Sequence, residues 1–532
     1  MFRREPKERI ETAEMPVVGR EEGFPNGSPP DKSWQAGRNL MLFKSLVLTA
    51  IMVITLYGML NRGLFELERW LPVAAAILGI FFITLFVVEY FADVPRIVWV
   101  LAGLLAVLVA VKGLSLIWSI SPPETIKELL RSSMYLAAFV LAAASFSSRR
   151  LAGPFIDGMN IIVGAVAGYG VLQKTDPTDY PSTTASGVRI GSTLEYANTV
   201  AVVLGMGIVL GLGRMTGLRN PVARGLYAAL ILVLSVVLYF TFSRGGMLAL
   251  GVGLLLLFVV GERRLQMFAN LLLVSLPLGW LLWRAQDLTT FFSYTSDEDL
   301  RAAEGTTFLI YLVVAVIVAF LLQAGYAILL ERYELSSWVR RALTAAAVVT
   351  ALASIGFLGY QAVNQQLVES GGPFSTFAQG LEEPKQANER LTSLSSNSRS
   401  IYWRVAWEEW LKHPLTGTGA GTFQYTWLEN RPHTSGVKQV HNVYLEQGTE
   451  TGILAFLALM GFAALLVVYA ARATWRAAGE RRVLLAGLTG AVAVYLVSSA
   501  LEWHWYVLPS TIFFFILAGV AAKFASREEQ EV

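Results

Sequence analysis

From Leu40 onward the chain alternates long apolar runs with short polar connections, a pattern set by the solvent in which the fold must live. A helix needs about 20 apolar residues to cross the hydrocarbon core of a bilayer. Runs near 40–60, 70–91, 97–119, 130–146, 154–173, 196–213, 225–242, 245–260, 267–284, 306–330, 342–361, 448–470, 483–500 and 505–523 meet or approach that length. They predict an all-α, polytopic bundle of about 12–14 spans. The stretch before Asn39 is polar and contains Pro and Gly, with Arg3, Arg4, Lys7, Arg9 and Arg20 mixed among glutamates. It lacks the apolar segment of a signal peptide, so it reads as a disordered cytoplasmic tail, with 40–60 as an uncleaved anchor. The expected organisation is a tail over 1–38, transmembrane helices over 39–361 and a large external loop over 362–447. Transmembrane helices follow over 448–524, with a short cytoplasmic tail at 525–532.

Composition agrees: 55% of residues are hydrophobic, 15% are charged, and mean hydropathy is +0.53. A soluble fold has no place for that much apolar side chain. The net charge of +3 matters less than its distribution. With the N-terminus inside, the cytoplasmic loops hold Arg149 and Arg150; Arg214, Arg219 and Arg224; Arg263 and Arg264; and Arg332, Arg340 and Arg341. Arg472, Arg476, Arg481, Arg482, Lys523 and Arg527 follow on the same side. Short arginine-dense loops on one side are what the positive-inside rule requires. Loops at 174–195, 285–305 and 362–447 then face outward. The absence of cysteine excludes disulfides, thiolate nucleophiles and thiolate-bound metals. With the histidines scattered and no clustered Asp/Glu motif, neither a metal nor any other cofactor is expected, and no nucleic-acid partner.

On this topology His413, His433, His441 and His504 all fall outside or at the outer boundary, as do Arg189, Arg244 and Arg399. An arginine beside hydrocarbon needs a reason. One reason is snorkelling to lipid phosphate. The other is that guanidinium groups bind phosphate oxygens bidentately and stay charged, so three on one face could hold a diphosphate. In the run 399–412 (RSIYWRVAWEEWLK), Arg399, Trp403, Trp407 and Trp410 share a helical face, consistent with a helix lying at the membrane interface. The strongest local signal is HNVYLEQGTETGILAF over 441–456, where His441 meets a span with Asn442, Tyr444, Glu446 and Glu450 close behind. An imidazole ordinarily titrates near pH 6.5, so His441 suits a general base; a capping or interfacial role is the plainer alternative. The run GTGAGTF (417–423) lacks the lysine of a phosphate loop and reads as a flexible turn. Span interiors are almost free of charge, Glu89 and Lys112 being the clearest exceptions, which weighs against a transporter or flippase of lipid-linked sugars.

Five segments together resemble the O-antigen ligase and polymerase superfamily of bacterial envelope glycan enzymes. They are SLIWSISPPETIKELL, RIGSTLEYANTVA, TFSRGGMLAL, RSIYWRVAWEEWLKHPLTGTGAGTF and HNVYLEQGTETGIL, spread over most of the chain. The resemblance implies a fold similar to the C-type membrane glycosyltransferases. It implies transfer of a glycan from undecaprenyl diphosphate at the periplasmic or external face of the bacterial inner membrane, without nucleotide or metal. In that picture Arg189, Arg244 and Arg399 grip the diphosphate and His441 is the general base. Asn442, Tyr444, Glu450 and Arg404 support them. Direct displacement would invert the anomeric carbon. The acceptor is a lipid, a glycan or a protein hydroxyl, so ligase, polymerase and protein O-oligosaccharyltransferase share one chemistry; ligase is the favoured expectation.

Overall fold

In hydrocarbon, backbone polar groups must be satisfied within the segment, and helices achieve this along every apolar run. The computed structural model describes residues 32–182, 184, 187–332, 338 and 398–526. Among these, every regular element is helical. The first ten helices are α1 (Lys32–Leu60), α2 (Leu67–Thr84), α3 (Arg96–Leu114), α4 (Pro122–Ser145), α5 (Ala152–Thr175), α6 (Ala197–Gly217), α7 (Pro221–Phe240), α8 (Arg244–Val260), α9 (Arg264–Ala285) and α10 (Glu298–Arg332). Five follow the undescribed stretch: α11 (Arg399–Lys412), α12 (Phe423–Asn430), α13 (Val443–Arg476), α14 (Gly479–Ser499) and α15 (Leu508–Ala525). Eleven of these fifteen helices are long and apolar enough to span a membrane. The expected spans near 130–146 and 245–260 also form helices. However, α8 has only 17 residues, and α4 begins with Glu124, Lys127, Glu128 and Arg131. The expected span at 342–361, residues 362–397 of the outer loop, and residues 1–31 and 527–532 of the two tails lie outside the described residues.

The run at 70–91 ends early. α2 stops at Thr84 and the chain passes through successive turns, with Glu89 exposed in left-handed backbone (φ 63°). Asp93 accounts for the turn's position, because Lys44 of α1 (2.5 Å) and Lys523 of α15 (3.0 Å) converge on its carboxylate. Glu89 thus stands in the turns beyond α2 and not within a helix. Lys112 lies within α3, near its end: it is fully buried, 3.5 Å from Glu128 and 5.1 Å from the centre of the Trp505 ring.

α6, α14 and α15 form the most buried part of the bundle. The α6–α14 crossing is close because a Cβ on Gly213 would lie 3.0 Å from the Gly487 Cα. Small residues at such crossings let packing replace a hydrophobic drive that lipid does not supply. The arginines of the connections sort to one end. There Arg214 pairs with Asp157 (2.9 Å), Arg224 donates to Asn270 (2.7 Å) and Arg482 donates to the Val260 carbonyl (2.9 Å).

At the other end, α11 and α12 pack together over Val405, Ala406, Phe423, Trp427 and Val440. α11 leans on α13 rather than presenting a tryptophan face to lipid. Trp410 is buried against Phe456 (5.0 Å between ring centres) and leaves no room for a Cβ on Gly448, while Trp407 is half exposed. The segment after α11 threads against a break in α13 at Gly452 (φ 76°), where Ile453 N–H donates to the Pro414 carbonyl and Gly419 N–H to the Glu450 carbonyl. A Cβ on Gly452 would lie 2.1 Å from the Leu415 carbonyl oxygen. Gly452→Ala is therefore expected to destabilise the protein by about 1–3 kcal/mol or more, read as a lower unfolding temperature in detergent. An unchanged temperature would mean that the segment does not pack there.

A candidate active site built on Glu502

Between α14 and α15 the chain crosses the arginine-poor end of the bundle as a short connection, Ala500 to Val507, and Glu502 points inward from it with only 1% exposure. A buried carboxylate requires donors, and four side chains from three segments supply them. Tyr196 Oη donates to Oε2 (2.6 Å) and Asn198 Nδ2 to Oε1 (2.7 Å), both at the start of α6. Arg399, the first residue of α11, pairs with Oε1. His441 Nδ1 lies 3.3 Å from Oε2. Arg189 joins through Asn198, its Nη2 donating to the Asn198 side-chain oxygen (2.7 Å) and its Nε to the Thr241 carbonyl (2.7 Å). Thr241 belongs to the turn that carries Arg244 into the first position of α8, with Ser243 Oγ capping that helix. Arg189, Arg399 and His441, far apart in sequence, thus share one carboxylate and its amide partner. Arg244 stands three residues beyond the carbonyl that receives Arg189.

The electrostatics follow from this arrangement. Burial works against the charged form of Glu502, but Arg399 and His441 outweigh it and hold the carboxyl well below the usual carboxylate range. Burial and the Glu502 charge push the Tyr196 hydroxyl upward, so it stays a donor. The Arg399 Nε has no hydrogen-bond partner among the described residues. His504, two residues from Glu502, is a different kind of histidine. Its ring is closed in by Thr199 (2.9 Å) and Ser498 (2.7 Å), and burial pushes its pKa down to about 4, which leaves it neutral and structural.

His441 is held by its neighbours. The Asn442 side chain accepts from Tyr444 N–H and Leu445 N–H and caps α13, while Val440 N–H donates to Glu446 (2.7 Å). Between these anchors His441 adopts left-handed backbone (φ 60°), its ring lying between Tyr402 (5.6 Å) and Trp503 (6.3 Å). Asn442 is thus a helix cap adjoining the site. Tyr444 donates to the Leu496 carbonyl (2.9 Å) and Glu450 receives Gly421 N–H (2.7 Å) and Phe423 N–H (3.0 Å), so both brace the scaffold. Arg404 is exposed on α11, five residues beyond Arg399. Nor is GTGAGTF a flexible turn. It is fastened to α13, and an internal carboxylate, Glu450, occupies the N–H groups that a phosphate would need. His413 is exposed, and His433 bonds Ser435 (2.7 Å) against Trp427.

Three residues of the cluster, Tyr196, Asn198 and Glu502, were absent from the sequence reading as functional groups. Glu502 had a signal: it is an acid in a short aromatic connection (LEWHWY) between two apolar runs at the same expected boundary as His441. Among the described residues no group of three or more His, Asp or Glu side chains is placed to hold a metal ion.

No curated protein matches the chain. Residues 300–460 match the family model described as O-antigen ligase. That segment contributes Arg399 and His441 to the cluster, whereas Arg189, Asn198, Arg244 and Glu502 come from outside it. By that match the 300–460 segment is similar to O-antigen ligases, and within this helical membrane protein it supplies two of the groups gathered at Glu502.

Proposed function

We propose that this protein transfers a glycan from an undecaprenyl-diphosphate carrier to an acceptor hydroxyl at the non-cytoplasmic face of the inner membrane, acting as a ligase. The observation that carries the reading is the convergence of Arg399 and His441 on Glu502, with Arg189 joined through Asn198, at the end of the bundle opposite the arginine-rich connections. That segregation supports an outward-facing site by the positive-inside rule. Arg189, Arg244 and Arg399 hold the diphosphate and neutralise charge as it leaves, supplying with fixed cations what a metal ion supplies elsewhere. Glu502 fixes the His441 ring through Nδ1, which leaves Nε2 to accept the proton of the acceptor hydroxyl. The acceptor oxygen bonds to the anomeric carbon, and the bond from that carbon to the diphosphate oxygen breaks. Undecaprenyl diphosphate departs with the electron pair, and the carbon inverts.

The test is to incubate purified protein with an undecaprenyl-diphosphate glycan and candidate acceptors. Glycan on a lipid or wall anchor supports the ligase. A ladder of chain lengths assigns a polymerase, and modified protein an oligosaccharyltransferase. Movement of intact donor across a bilayer without bond cleavage sinks all three. Arg189→Lys keeps the charge but loses the planar fork that reaches Asn198 and Thr241 together, so it is expected to raise the donor KM by roughly tenfold or more. An unchanged donor KM would leave Arg189 a structural brace.

A further inference from the structure

Beside the Glu502 cluster lies a second feature, a half-open cavity of about 360 Å³ that shares Trp503 with it. The size falls in the range of about 300–1,000 Å³ typical of small-ligand sites. One wall is a single face of α4, where Glu124, Lys127, Glu128 and Arg131 recur at helical spacing. Trp503 and Tyr506 contribute aromatic surface, Trp70 lies buried beneath Arg131, and Gln424 and Gln439 contribute amides. None of Arg189, Arg244, Arg399 or His441 lines it.

Arg131 is the informative residue. It is 92% buried, its guanidinium lies 4.8 Å from the Tyr506 ring centre and 5.4 Å from that of Trp70, and it pairs with Glu128. Its Nε nevertheless has no hydrogen-bond partner among the described residues, and it lines the cavity. An unsatisfied buried donor is costly unless something completes it. Lys127 binds Glu124 (2.7 Å), and Glu128 lies between Lys112 and Arg131, which leaves the exposed Lys438 as the lining cation outside these pairs among the described residues. One cation beyond the paired charges does not match the charge of a diphosphate, and the polar wall does not suit a hydrocarbon chain. Aromatic faces interleaved with acids, amides and a free N–H suit a sugar ring, which stacks its C–H face and both donates and accepts through its hydroxyls.

We propose that this cavity is the binding site for the terminal sugar of the acceptor, so that the acceptor is presented as carbohydrate. The inference rests on the transferase reading above. The Trp503 ring, 6.3 Å from that of His441, joins the cavity to the base, and Gln439 lies two residues before His441. A sugar seated there approaches the base by a route separate from the arginines that hold the diphosphate. Tyr506 donates to Glu446 (2.5 Å), the same carboxylate that receives Val440 N–H, so the cavity wall and the His441 backbone are set by one residue.

The experiment is saturation-transfer NMR on the full-length protein, in a detergent without a sugar headgroup. The probes are methyl glycosides of a hexose, an N-acetylhexosamine and a uronic acid, with inorganic diphosphate as competitor. At least one glycoside is expected to bind, to resist displacement by diphosphate, and to lose its signal in Arg131→Gln. Gln424→Ala, which removes a half-buried amide and disturbs no ion pair, gives the same reading if Arg131→Gln fails to fold. In the transfer assay both variants are expected to raise the acceptor KM roughly tenfold with donor KM and kcat unchanged. No glycoside binding, or displacement by diphosphate, overturns the sugar site while leaving the transferase standing. A rise in donor KM instead overturns the acceptor assignment, as does transfer to a protein acceptor with unaltered KM. Glycoside binding by a protein that transfers nothing sinks the transferase reading and the acceptor role together, and leaves a sugar-binding cavity.

Discussion

His441→Ala is expected to lower glycan transfer by roughly 10²–10⁴-fold, the usual contribution of a positioned general base, with expression and membrane insertion unchanged. The expectation of an intact fold comes from the side chain's surroundings. The ring is 20% exposed, makes one hydrogen-bond contact with Glu502, and otherwise rests against Tyr402 and Trp503. His441→Gln sharpens the test, because glutamine can still donate toward Glu502 but cannot take a proton at neutral pH. Both variants are expected to fail equally in the transfer assay. Retained turnover in either would assign His441 to packing and return the search for a base to other residues of this face.

Glu502→Gln is expected to be severe for a different reason. The substitution keeps the shape but turns an acceptor oxygen into a donor among groups that already donate: Tyr196, Asn198, Arg399 and the His441 ring. It also leaves Arg399, whose side chain is 17% exposed, without its counter-charge. Removing one member of a buried pair costs on the order of 3–5 kcal/mol, so a clear fall in unfolding temperature should accompany a loss of transfer of roughly 10²-fold or more. The double variant Glu502→Gln with Arg399→Gln removes the orphaned cation, and should recover stability without recovering transfer. Recovery of both would make the pair purely structural. The pH dependence has a definite sign. Because the folded carboxyl lies below its ordinary range, the stability that it contributes is complete at neutral pH and is lost as pH falls below that range. Acid titration of the wild type should therefore show an extra stability loss that Glu502→Gln lacks.

The sequence by itself determined the class of the fold and which residues were worth finding. Runs of about 20 apolar residues admit few other solutions in a bilayer, and each expected run within the described residues became a helix. Arg189, Arg399 and His441 were legible because a polar group at the edge of hydrocarbon is expensive and so stands out. Pairwise relations were not legible. Glu502 lies 103 residues from Arg399 and 306 from Tyr196, and no local periodicity connects them. Only the packing of α6, α11, α13 and α14 at one end of the bundle decided that these groups meet. The same holds for the residues that changed meaning. Glu450 resembles a second acid beside His441 in sequence, yet the fold spends it on two backbone N–H groups. Lys112 looked like an isolated charge in a span, yet it is buried against Glu128. Apolar periodicity records where a side chain stands relative to solvent, because burial is a one-body property of each position. Which donor finds which acceptor is a property of pairs, and tertiary structure alone fixes it.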